Sequence, residues 1–390
     1  MRFARVACSV LALVVAGLAS AAGAQEATPT GSAAVTAVAA GFTNPRGFTW
    51  GTDGTLYLTL AGTGGDSAGT IDGVEDGIFG GPTASVVTID VGCAAPFVEG
   101  LPSGNWRDAG WIWGAHDVAF LGDDLYVLSA GGGTDFGNPD QPAGVYRVEA
   151  DGATTVVADF SAWSIDNPPL FVAPDYNPSG SLFDMESDGE RLWISEAVGG
   201  RIVTVTPQGG IALVADVSDG HPVPTGLALA PEGGVYVGFL TALPYVDESS
   251  KVIHVATDGT VTDVWTGLTA VNDIAVGPDG ALYAVEMATG NSEDPPYAQP
   301  NTGRVVRMTG PDTLEAVVTD AGYPVYLGFD ADGALYLSTP GFAPDDGVGQ
   351  GALLRIDISG GEPVSLSGAD IPEDTCPGSD TGTPAATAES

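Results

Sequence analysis

The chain of 390 residues carries 50 acidic against 11 basic residues, a formal charge of −39, with 57 glycines and 28 prolines. A surface of that sign repels polyanions, so nucleic acid and anionic membranes are excluded as partners and cations are favoured as small ones. The Gly and Pro content reads as turns between short strands.

At the N-terminus, Arg2 and Arg5 precede the apolar run Val10 to Leu18, and small residues follow to Ala22, Gly23 and Ala24. This is the pattern of a secretory signal over 1–24, cleaved before Gln25, which puts the mature chain outside the cytoplasm. The run is too short to cross a bilayer, and no later stretch approaches the roughly 20 apolar residues a spanning helix needs, so no membrane insertion is expected. Cys8 leaves with the signal. One disulfide between the remaining Cys93 and Cys376 is the simplest reading in an oxidising compartment, two free thiols being the alternative. Residues 25–34 are expected to be a flexible lead-in and 371–390 a disordered tail.

Between these ends runs a repeat. The segment from Gly51 to Tyr57, with Asp53-Gly54 ahead of Leu56-Tyr57, recurs at 122–126, 187–193, 231–236, 278–283 and 331–336. Each copy sets a short apolar strand before a tight turn and an alternating strand after it, the signature of a hairpin. A third strand follows each pair: 85–91, 144–149, 201–206, 251–256, 304–308 and 352–358. A fourth follows at 154–158, 211–215 and 314–318. Six units of four antiparallel strands predict an all-β, six-bladed β-propeller over 35–370. Val35 to Ala39 is the favoured strand to close the last blade, with Glu362 to Ser367 competing for the same edge.

In a propeller, the start of each innermost strand and the end of the second strand surround one mouth of the channel. Aligning the repeats on their Tyr or Trp puts Arg46, His116, Asp117, Asp184, Asn272 and Asp273 at strand starts, and Glu196 and Glu286 at strand ends. Carboxylates converging on one axis repel unless they are protonated or share a cation. Asp117, Asp184, Asn272 and Asp273 are therefore a candidate ligand set for Ca²⁺ or another divalent cation. The alternative is that these Asp residues cap inter-blade turns through backbone hydrogen bonds. A lone His116 defines neither a ligand set nor a triad, and no G-x-S-x-G elbow is present. Two insertions stand apart. Residues 62–83 carry Asp66, Asp72, Glu75 and Asp76 among glycines, a solvated acidic loop or a cation loop. Trp106, Trp111 and Trp113, with Trp163, Phe171 and Tyr176 on the next connection, form either a binding platform or a packed roof.

Three motifs resemble the ScyD/ScyE family of secreted propellers related to NHL-repeat proteins: Gly41 to Gly47 leading to Ala61–Gly65, Pro174 to Pro178, and Val223 to Pro231 running on to Phe239–Pro244. The chain departs from that pattern at Ser179-Gly180 and Ser195–Gly199. The resemblance implies a secreted six-bladed fold and names no reaction. Asn272-Asp273 also resembles the Asn-Asp step by which gluconolactonase-like propellers hold a divalent metal, although Arg46 stands where those have a Glu.

The function expected is binding of a small molecule or an extracellular protein partner at the channel mouth. The alternative is a metal-dependent, lactonase-like hydrolase in which Asp117 or Asp184 serves as base. A quinone-dependent dehydrogenase, suggested by the Gly41–Gly47 start, is weaker, because Arg46 and Arg107 are the only basic residues in suitable loops.

Overall fold

A computed structural model describes residues 34–70, 77–107, 110–341, 349–373 and 375–376. The expected signal, most of the expected lead-in, Asp72, Glu75, Asp76 and the tail beyond Cys376 lie outside the described residues. Six antiparallel sheets form the six blades of a β-propeller, each with four principal strands in radial order. The innermost strands are Pro45–Trp50, Ala115–Leu121, Leu182–Ser187, Pro224–Leu229, Val271–Val276 and Tyr326–Phe329. Each packs on the next and the sixth returns to the first, so the ring is closed.

The repeated Asp-Gly turn explains the repeated aromatic. In blade five, Gly280 takes a φ of 78°, which a residue with a Cβ adopts only at a cost. Asp279 accepts the Ala281 N–H at 3.1 Å, the Tyr283 hydroxyl at 3.3 Å and the Arg307 guanidinium at 2.7 Å. One carboxylate thus ties the turn to the second and third strands. In blade three Asp188 ties the turn to the second strand, receiving Glu190 and Arg191 N–H groups and the Trp193 indole.

Apolar side chains alternate along the strands and fill a separate layer between each pair of neighbouring blades. Leu128, Val145, Met185 and Ile194 lie between blades two and three, and Ala39, Leu56, Val87 and Leu353 between blades six and one. A further cluster, with Phe183, Val223, Leu240, Tyr245 and Tyr326, covers the end of the ring where the inner strands begin, called here the upper end.

The N-terminal strand, Val35–Phe42, closes blade six, pairing antiparallel with Gly351–Ile356. The C-terminal segment does not compete for that edge. Val364–Ser365 instead pairs in parallel with Thr313–Ala321, the outer strand of blade five. The edge of blade six being occupied, the chain leaving it takes the nearest open one. It then runs past blade six to blade one, where Thr375 accepts the Ala40 N–H and donates to the Gly92 carbonyl, and Cys376 is bonded to Cys93. The acidic insertion is only partly a loop. Phe79–Asp90 and Cys93–Trp106 form a long hairpin that continues blade one outward, Ser67–Ala68 pairs on it, and Asp66 pairs with Arg107 at the surface. Among the described residues, no helix is long and apolar enough to cross a membrane.

Candidate functional site

The two residues at each inner-strand start face different ends of the channel. Five of the six inner strands carry a register shift at this point, as at Leu182/Met185 and Val271/Asp273. A bulge re-aims side chains and frees backbone donors. The first residue of each pair thus sits toward the upper end, and the second faces a cavity of about 350 Å³ on the propeller axis, lined by Asp117, Asp184, Glu186, Asp273 and Tyr326.

Inside this lower cavity the carboxylates clamp blade to blade. Asp117 accepts the Met185 N–H of blade three at 3.1 Å, Asp184 the Leu227 N–H of blade four at 2.6 Å, and Asp273 the Leu327 N–H of blade six at 2.8 Å. Asp184 and Asp273 each also accept the N–H of the following residue at 2.7 Å. Blade six has Tyr326 at this position, and blades one and four have glycine because there is no room: a Cβ on Gly47 would meet the Asp117 carboxylate at 1.9 Å, and one on Gly226 the Asp273 backbone at 2.4 Å.

Asp184 lies within hydrogen-bonding reach of both Asp117 and Asp273. Burial, then the charge on Asp184, pushes the Asp117 and Asp273 carboxyls well above the usual range. Burial raises Asp184 too, but the N–H groups of Leu227 and Met185 and the neighbouring carboxyls favour its anion. Of the three, Asp184 is thus the carboxyl whose anion the surroundings favour most. Glu186, part-buried below them, is pushed up to about 8 by burial and by Asp184.

A wall of rings separates this cavity from a second one. Tyr326 stacks on Phe183 at 5.9 Å and 20°, its hydroxyl donates to the Phe183 carbonyl, and His116 packs on Phe183 at 5.2 Å. Arg46, wholly buried, donates to the carbonyls of Pro45, Gly341 and Ile112, and burial lowers its pKa to about 10. Above the wall lies a smaller pocket of about 150 Å³ over blades two to four. Its sides are mostly apolar, formed by Trp106, Trp111, Trp113, Phe183, Leu240 and Tyr245. Trp106 and Trp111 are cross-strand partners in a short hairpin, and Trp111 stacks with Trp113.

The polar groups of the upper pocket are few. His116 is 3% exposed, and neither ring nitrogen has a hydrogen-bond partner of ordinary geometry. The nearby Phe183 carbonyl favours a proton on the ring, but burial and the Arg46 charge outweigh it and hold the imidazole neutral. The Thr241 hydroxyl is also buried without a partner. At the rim, His221 Nε2 lies 3.1 Å and 3.3 Å from the two Asp175 carboxylate oxygens. Backbone strain gathers here: His221, Val223 and Thr241 have φ of 54°, 57° and 67°. For the β-branched pair this is costly, and such strain clusters at functional sites.

The expected site residues therefore part company. Glu196 and Glu286 line neither cavity. Glu196 is paired with Arg201 at 2.9 Å and Glu286 with Arg304, each Arg directly opposite on the third strand. A buried carboxylate at a strand end needs a counter-charge, and both third strands carry Arg within their first two residues, a signal visible in the sequence. Asn272 lies apart from the three aspartates, donating to the Pro324 carbonyl with its Oδ1 unpartnered. Trp163 sits on the short helix Phe160–Asp166, packed on Phe160 and under the Arg201 guanidinium, so it belongs to the core and not to a platform. Asp175, His221, Thr241 and Glu186 are site residues that sequence reasoning does not single out.

The four proposed metal ligands do not fit a metal together. Asp117, Asp184 and Asp273 direct oxygens at backbone N–H groups and at each other, and Asn272 is turned away. Among the described residues, no group of three or more His, Cys, Asp or Glu is arranged to hold an ion.

These features define a six-bladed β-propeller with an acidic cavity below and an aromatic pocket above. No protein-family model matches the chain, and no curated protein is significantly similar to it in sequence. Solved propellers resemble it in fold. A Thermus thermophilus protein provisionally assigned as an oxidoreductase (glucose dehydrogenase) is 14% identical with a TM-score of 0.52, over 83% of this chain and 99% of that one. A Xanthomonas campestris gluconolactonase is 13% identical with a TM-score of 0.49, over 83% and 89%. A calcium-binding regucalcin from Agrobacterium tumefaciens is 13% identical with a TM-score of 0.47, over 82% and 92%.

Proposed function

We propose that the protein is an exported binding propeller whose upper pocket takes a small neutral aromatic molecule. The observation that carries this reading is His116, a neutral imidazole buried with two free nitrogens at the floor of a pocket walled by aromatic rings. A buried polar group without a partner costs about 1–3 kcal/mol, a cost that a ligand hydrogen bond would relieve. The resemblance to ScyD/ScyE propellers adds support, because two of its three motifs supply pocket walls: Asp175 comes from one, and Val223 with Leu240 to Leu243 from the other. The volume suits one or two fused rings, and the charge of −39 disfavours anions. Titration of the tryptophan fluorescence with indole, phenol and benzoate tests the reading. Saturable quenching by the two neutral rings, weakened at least tenfold in Trp111→Ala and absent with benzoate, is expected. No saturable response to any ring would sink it.

A metal-dependent, lactonase-like hydrolase has less support, since Asp117, Asp184 and Asp273 are engaged with backbone N–H groups and with one another, and Asn272 is turned away. The dehydrogenase reading has less again: Arg46 is spent on backbone carbonyls and Arg107 on Gly65 and Asp66. A protein partner is favoured by one observation, the apolar run Leu170-Phe171-Val172. Leu170 is 89% exposed, on a backbone pinned to Asp216 and Ser218. Sedimentation of the wild type against Leu170→Ser tests whether this run mediates self-association.

A further inference from the structure

The upper pocket holds more than a binding surface needs. Its rim carries a histidine oriented by a carboxylate, and its floor carries a second, neutral histidine. His221 turns Nε2 to both oxygens of Asp175, and the histidine holds that carboxyl below the usual range, so Asp175 is an anion at neutral pH. An anionic acceptor fixes the proton of a neutral His221 on Nε2. Nδ1 is then left with a lone pair and no hydrogen-bond partner among the described residues. This is the orienting logic of a histidine general base. The dyad does not come from a regular element: Ser218 accepts the His221 backbone N–H in a tight turn that forces His221 to a φ of 54°. From that turn the ring of His221 lines the pocket.

His116 complements it. Because burial and Arg46 keep it neutral, it offers one N–H donor that is not acidic enough to lose its proton. Such a group polarises a carbonyl without protonating it outright. A base, an orienting carboxylate, a neutral donor and an apolar chamber of ring size are the parts required for proton removal next to a carbonyl.

We propose that the upper pocket catalyses proton transfer at the carbon beside the carbonyl of a small neutral benzylic ketone. His221 Nδ1 is the base, His116 the hydrogen-bond donor to the developing enolate oxygen, and Asp175 the positioning residue. The step is balanced within the site. The α C–H bond breaks, its proton passes to Nδ1, and the electron pair moves into the enolate, whose oxygen is held by the His116 N–H. Once the proton on Nδ1 has been replaced from solvent, its return to the same carbon gives exchange, and return to another carbon gives an isomer. No oxidant, metal or co-reactant is consumed. This inference rests on the binding reading above and deepens it.

The test uses the full chain and 2-indanone in D₂O, with loss of the α-proton signal followed by NMR and binding followed separately by tryptophan quenching. Exchange above the buffer rate that saturates with ketone is expected. In His221→Asn the catalysed rate should fall roughly 10²-fold with binding within twofold of wild type. Asn tolerates a positive φ, so this variant keeps the turn. Asp175→Asn should lower kcat about tenfold at unchanged KM, with recovery in Asp175→Glu, a split that a merely structural role would not produce. Binding without exchange above buffer would overturn the inference and leave the binding reading standing. Exchange unaffected in His221→Asn would overturn the assigned base. Absence of both binding and exchange would overturn both readings.

Discussion

The two cavities on either side of the Phe183–Tyr326 wall spend their polar groups in opposite ways. Below it, every aspartate of the ring is committed: each bridges its own strand to the next blade, and Asp184 lies within reach of the other two. Above it, a buried histidine and a buried threonine hydroxyl are left unsatisfied, and two β-branched residues are held in the left-handed region. Full satisfaction rigidifies, whereas unsatisfied groups and strain are the cost of a site kept ready for something else. On the reading proposed above, the larger and more charged cavity belongs to stability, and the smaller one to function.

The sharpest way to break that division is Asp184→Ala. It strands the Leu227 N–H and removes the carboxyl that lies within reach of both Asp117 and Asp273, so a loss of about 3 kcal/mol in urea unfolding is expected. Affinity of the upper pocket for indole should change less than twofold. A parallel loss of affinity would mean the cavities act as one. Chelator treatment should leave the unfolding midpoint unchanged, because the three aspartates are engaged with N–H groups and each other. A drop restored by Ca²⁺ would return the lower cavity to the functional column.

Glu186→Gln tests the same cavity through pH. The folded value of about 8 lies above the ordinary 4.5, so the folded state holds this proton more tightly than the unfolded chain. Its favourable contribution is complete below about 4.5 and is lost as pH rises toward 8. The variant should therefore unfold like wild type at pH 4 and be more stable at pH 8, by an amount on the order of 2 kcal/mol, since Glu186 is only part-buried. A constant difference across that range would show that Glu186 is not held neutral.

His116→Phe should move stability and binding in opposite directions. Two unpaired nitrogens disappear and a ring remains to pack on Phe183, so stability should rise by about 1 kcal/mol while phenol binding falls roughly tenfold. Stabilisation without loss of affinity would demote His116 from ligand contact to packing defect.

Much of this architecture is written locally. The Asp-Gly turns, with Tyr283 or Trp193 returning to the turn carboxylate, announce each hairpin, and the apolar strand at Val35 announces closure. Glu196 and Glu286 are misplaced by alignment alone because their partners, Arg201 and Arg304, sit on another strand, although both third strands carry that residue within their first two positions. The bulges are harder to see. A one-residue slip decides whether Asp117 or His116 faces the lower cavity, and nothing in a single sequence marks it. The dyad of Asp175 and His221 joins two connections 46 residues apart and is visible only once the blades are in place. Loop motifs such as Pro174–Pro178 were legible as unusual but not as a rim.

The smallest expected effect is the most specific to the comparison. Thr241 holds a φ of 67° with a β-branched side chain, and its hydroxyl is buried without a partner. Thr241→Gly removes the steric cost of that conformation and the unpaired oxygen, but it increases the freedom of the unfolded chain, which offsets part of the gain. The net should be a stabilisation of about 0.5 kcal/mol, read as a small rise in the urea midpoint at unchanged m-value. If the hydroxyl is a ligand contact, affinity for phenol should fall while affinity for indene, which has no hydrogen-bonding group, stays constant. Equal loss for both would mean that Thr241 only shapes the wall. A destabilisation instead would show that the left-handed backbone there is imposed by the Leu240–Pro244 segment itself, and that the strain above the ring wall is not held in reserve for a ligand.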